Sequence, residues 1–112
     1  MSISKPIECY ETTHSAAMGI SFQINPQRHI FLPYALLLSI ELVESTEMIF
    51  WFSVAEVTVS GENLDRLYQV ATETNLSRIL TKSSVSDAKR VWVRQIAVKE
   101  STKMNHLSLE KV

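Results

Sequence analysis

The sequence predicts an α+β domain in which a mainly antiparallel sheet of about five or six strands, arranged as a meander, carries one main helix packed on it. Three observations lead there. Apolar residues alternate with polar ones at a period of two in Ile20-Phe22-Ile24, Leu38-Ile40-Leu42 and Ala55-Val57-Val59, the spacing of half-buried strands. Leu64, Leu67, Tyr68 and Ala71 recur instead at helical spacing. The polar group Glu44-Ser45-Thr46-Glu47 separates two apolar runs by the length of a hairpin loop.

Taken in order, the first eighteen residues show no period and read as irregular, with a short helical turn expected around Ser15–Met18. The first strand covers Ile20–Ile24 and ends at the turn signal Asn25-Pro26. In His29–Leu37, Pro33 drives the residue before it toward extended geometry, and Tyr34-Ala35-Leu36-Leu37 suits one helical turn starting at the proline. A second strand follows at Leu38–Leu42, then the hairpin loop, then Met48-Ile49-Phe50-Trp51-Phe52, a strand apolar on both faces. Phe50, Phe52 and Val54 lie on the even phase and Ala55, Val57 and Val59 on the odd one, so a bulge or bend is expected near Val54-Ala55. Gly61 punctuates the end of that strand. The helix is expected from about Glu62 to Thr74, with Ser60 or Asn63 as cap and Glu62 and Asp65 favourably placed at its positive end. Leu76–Leu80 is a short strand, Lys82–Ala88 a polar loop and Arg90–Val98 the last strand, with Val91 and Val93 on one side and Trp92 on the other. The unit from Glu56 to Leu80 admits either a parallel crossover or an antiparallel return.

At 112 residues, of which 46% are hydrophobic and 21% charged, the chain fits one domain over residues 1–100, with a polar tail over 101–112. Two glycines and three prolines leave no room for long flexible linkers. A single cysteine, Cys9, cannot form an internal disulfide, and Lys5, Pro6 and Glu8 interrupt any secretory stretch at the amino terminus, so a reducing, cytoplasmic setting is expected. Pro33, Glu41, Glu44 and Glu47 break the most apolar region, Ile30–Val54, well short of a membrane span.

The net charge of −1 hides an asymmetry: residues 1–77 carry −6 and residues 78–112 carry +5. Such a chain either pairs its two halves in the fold or presents a basic face to a polyanion.

The residue pattern excludes most chemistry. His14, His29 and His106 share no metal-ligand spacing with one another or with Cys9, and no HExxH or CxxC occurs. With only Gly19 and Gly61 present, neither a dinucleotide fingerprint nor a phosphate loop exists. Glu41, Glu44 and Glu47 read as solvated surface. No catalytic residue, metal or cofactor is therefore expected; an enzyme would need polar groups from distant segments to converge.

Two features remain. The run Met48, Phe50, Trp51 and Phe52 is either a central strand between two layers or a homo-oligomer interface. Lys89, Arg90, Trp92 and Arg94 interleave cations with an aromatic on one strand, which is either a cation–π pair on a solvated face or, with Lys82 and Lys99, a platform for nucleic acid. The leading expectation is a non-enzymatic binding or accessory module that self-associates as a dimer through the aromatic strand or a neighbouring edge; the alternative is a small nucleic-acid-binding domain.

Overall fold

The computed structural model describes residues 9–13, 17–83 and 89–100. Among these, the chain forms β1 (Tyr10–Thr12), β2 (Gly19–Asn25), β3 (Arg28–Pro33), a 3-10 turn (Tyr34–Leu36), β4 (Leu37–Val43), β5 (Glu47–Phe52), β6 (Ala55–Glu62), α1 (Leu64–Ala71), β7 (Leu76–Leu80) and β8 (Trp92–Glu100). The architecture is thus mostly sheet with one helix, as expected, but the single meander is corrected to two four-stranded sheets. The first has the order β1-β7-β2-β3 and the second β4-β5-β6-β8. Only β4-β5-β6 runs as a meander. All pairings are antiparallel except that of β2 with β7.

Alternation explains the packing. Ile20 and Phe22 of β2 and Ile79 of β7 point from the first sheet onto Met48, Phe50 and Phe52 of β5 and Val57 and Val59 of β6, in one continuous core. Phe22 meets Phe50 edge-on at a centroid distance of 5.3 Å and Phe52 at 6.1 Å, a geometry that aligns the positive ring edge with the negative face. Of the bulge or bend expected near Val54-Ala55, the bend is found: the chain reverses at Ser53-Val54, and the register Trp51↔Glu56 puts Phe52 and Ala55 on the same face.

Three further expectations change. Gly61 does not end β6, which runs to Glu62; it sits at a register shift where β8 passes close by. The helix is shorter than expected, and Asn63 before it adopts φ 59° and makes no side-chain cap. Its side chain instead donates to the Arg90 carbonyl at 2.8 Å. Finally, β6 and β7 lie in different sheets, so α1 carries the chain from one sheet to the other and the connection is neither a crossover nor a return. The helix buries Leu64, Leu67 and Ala71, packs against β4 and β5, and accepts the hairpin through Leu64 N–H donating to the Ser45 carbonyl at 2.8 Å.

The sheets are stitched along one flank, where Lys82 N–H donates to the Val93 carbonyl at 3.0 Å and Val93 N–H to the Cys9 sulfur at 3.3 Å. Tyr34 ties the other end of the molecule, its hydroxyl donating to the Leu76 carbonyl at 2.6 Å. Burial pushes this phenol up to about 12. Residues 101–112, Ser15 and Ala16 of the turn expected at Ser15–Met18, and residues 84–88 of the loop expected at Lys82–Ala88 lie outside the described residues.

Candidate interaction surface

The aromatic run divides cleanly by face. Met48, Phe50 and Phe52 are buried between the sheets, whereas Trp51 is 38% exposed on the outer face. Its indole N–H donates to Glu41 Oε1 at 3.4 Å, a long bond between exposed groups. Of the four residues singled out on this strand, only Trp51 therefore reaches solvent.

Beside it, β4 is the edge of the second sheet, and no strand pairs with its other side among the described residues. The extra residue in its pairing with β5 is Leu38, which turns outward and is 71% exposed; Val43 is exposed at the far end. Ile40 and Leu42 pair with Phe50 and Met48 and face the core, yet they are only half-buried. Inward residues of β5 and β6 are buried throughout. The core is thus left incomplete along the β4 flank. The sequence carried a partial signal of this, since LLSIELV holds one charged residue, but alternation alone put Leu38, Ile40 and Leu42 on one face and missed the bulge that separates Leu38 from the other two.

The basic strand is arranged differently. The Arg94 guanidinium lies 5.3 Å from the Trp92 ring centroid and 3.7 Å from the Glu62 carboxylate, while the Trp92 indole N–H donates to the Lys82 carbonyl at 3.0 Å. The structure thus brings Trp92 and Arg94 together. Lys89 and Arg90 precede the strand, their carbonyls accepting from the side chains of Arg66 and Asn63. A second ion pair, Arg78 with Glu11 at 3.8 Å, again joins the basic third of the chain to its acidic part. Both pairs are half-exposed, so each contributes at most about 1 kcal/mol.

Comparison of the chain with protein-family models, with curated proteins and with solved structures finds no match. Fold and function rest on the residues themselves.

Among the described residues no three His, Cys, Asp or Glu side chains converge on a metal-sized site. His29 stands exposed on β3, and His14 and His106 lie outside the described residues. Cys9 is buried, its sulfur accepting from Val93 N–H at 3.3 Å. Among the described residues no helix is long and apolar enough to cross a membrane.

Proposed function

We propose that the chain is a non-enzymatic binding or accessory module that self-associates as a dimer through the flank of the second sheet formed by β4 and Trp51. The observation that carries this reading is the half-buried Ile40 and Leu42 beside the exposed Leu38 and Val43. An open apolar flank beside an unpaired sheet edge is the surface that another chain covers with gain of both buried area and backbone hydrogen bonds. A single buried thiol fits a reducing, cytoplasmic setting.

Nucleic-acid binding through Lys89, Arg90, Trp92 and Arg94 is the weaker reading, because Arg94 already occupies one face of Trp92 and shares Glu62. A base seeking to stack there competes with the guanidinium.

Sedimentation of the purified chain at low and moderate salt, with and without a mixed-sequence single-stranded oligonucleotide, separates the two. A salt-insensitive dimer that ignores the oligonucleotide is expected. Leu38→Glu combined with Trp51→Glu, both exposed positions, is expected to give a folded monomer with an unchanged circular dichroism spectrum. A wild-type monomer at high micromolar concentration refutes self-association, and co-sedimentation that fades steeply with salt installs the alternative.

A further inference from the structure

Resting on the self-association proposed above, we infer the mode of docking: β4 pairs antiparallel with β4 of a second copy about a two-fold axis at Ile40, merging two four-stranded sheets into one continuous sheet.

The choice of edge follows from comparing all four. Edge strands are kept from pairing by short length, charge or proline. β1 has three residues. β3 carries Arg28, His29 and Pro33, and β8 carries Arg94, Lys99 and Glu100. β4 has seven residues and a single charge, Glu41. Among the described residues it is the long edge with neither a charge cluster nor a proline, and although α1 packs against it, Leu38 and Val43 stay exposed and Ile40 and Leu42 only half-buried.

The choice of register follows from charge and shape. A two-fold axis at residue k sets residue k−1 opposite the partner's k+1, on the same face. An axis at Glu41 opposes two carboxylates directly, which is destabilising. An axis at Ser39 draws the bulge at Leu38 into the centre of the ladder, and one at Leu42 runs the pairing into the turn at Glu44. An axis at Ile40 avoids all three. It sets Ile40 against the partner's Ile40 on the core side and Glu41 against the partner's Ser39 on the outer side, where the hydroxyl donates to the carboxylate. The strand is thus complementary to itself in this register, which is why the occupant is a second copy rather than a strand of a different chain.

Thiol cross-linking reads the register directly, because opposed Cα atoms fall within disulfide range, about 4.5–5.5 Å, and their diagonal neighbours do not. Ser39→Cys and Glu41→Cys proteins are prepared separately, then each is oxidised alone and after subunit exchange in an equimolar mixture. Cys9, buried, stays in place, and the wild-type chain is the control. The mixture is expected to cross-link about half of its dimers, the share of mixed pairs under random exchange, while either protein alone stays at the wild-type background. Cross-linking of Glu41→Cys alone moves the axis to residue 41 and overturns the register. A sedimenting dimer with no cross-link in any sample overturns β4 pairing while self-association stands. A monomer in sedimentation removes the reading beneath it.

Discussion

Replacing Gly61 with alanine tests how the second sheet is closed. Neither glycine adopts a positive φ, so the requirement at Gly61 is for space and not for backbone freedom. A Cβ built there stands 1.7 Å from the Trp92 carbonyl oxygen and 2.8 Å from its carbonyl carbon, both backbone atoms that no rotamer change removes. β8 must withdraw by more than about 1 Å, beyond what a ladder hydrogen bond tolerates. The rungs at stake are Gly61↔Val93 and Glu62↔Trp92. Two lost rungs cost about 1–3 kcal/mol, and the displaced Val91 and Val93, both buried, add about 1–3 kcal/mol of repacking. The entropic gain of alanine over glycine in the unfolded chain offsets only about 0.4–1 kcal/mol. The net loss is about 1–5 kcal/mol, a large part of the roughly 5–15 kcal/mol that holds a small domain. In urea, with a slope of about 2 kcal/mol/M, the unfolding midpoint is expected to fall by about 0.5–3 M. Gly19→Ala is the control: its Cβ also meets backbone, but the nearest atom, the Leu32 oxygen on edge strand β3, is 2.5 Å away and not 1.7 Å, so a much smaller withdrawal relieves the overlap. A smaller loss is expected there. A Gly61→Ala midpoint equal to or above wild type refutes the argument, because it would mean that β6 and β8 do not approach as closely as this register requires.

Two other substitutions probe side chains that hold separate parts of the fold together. Tyr34→Phe removes the bond to the Leu76 carbonyl and is expected to cost about 0.5–1.5 kcal/mol at neutral pH. Because the folded phenol is raised from 10.0 to about 12, the folded state holds a proton that the unfolded chain releases. The associated stability is fully present below pH 10 and is lost as pH rises toward 12. Alkaline denaturation followed by circular dichroism is therefore expected to show a shallower slope over that window in Tyr34→Phe, and an unchanged slope counts against a buried hydroxyl. Asn63→Asp keeps a residue type that tolerates the left-handed conformation but turns the amide donor that reaches the Arg90 carbonyl into an acceptor. A loss of about 1–2 kcal/mol is expected, whereas a neutral result in urea titration would show that the bond does not tether the segment ahead of β8.

Much of the fold was legible because period-two alternation survives folding wherever one face is buried. β2, β4 and β7 fall within one or two residues of the spans expected from Ile20–Ile24, Leu38–Leu42 and Leu76–Leu80, and the proline-initiated turn lies at Tyr34–Leu36. The failures have specific causes. β1, three residues long, is too short to show a period. It exists because β7 offers an edge, a fact about pairing that no local pattern carries. The reversal at Ser53-Val54 uses neither glycine nor proline nor asparagine, so the phase change was visible while the choice between bulge and bend was not. Gly61 read as punctuation because a glycine needed for close approach and a glycine ending a strand look alike in sequence. The assignment of strands to two sheets depends on α1 changing layers, and helix length alone does not say which sheet receives the next strand.

The candidate site was legible only in outline, and the reason bears on how it should be tested. A strand apolar on both faces signals that each face is covered by something, but not which cover is internal. Here the even residues of β5 are consumed by the core, with Phe50 and Phe52 enclosing Phe22, and the odd residue Trp51 faces outward. A charged residue at Phe52 would therefore bury an unpaired charge against two aromatic rings and unfold the chain, whatever its oligomeric state. Loss of a dimer in that variant would carry no information about the interface. At Leu38 or Trp51 the same substitution meets solvent in the monomer, and would meet a neighbour only in the proposed dimer. Those exposed positions separate association from folding, and the aromatic run as a whole does not.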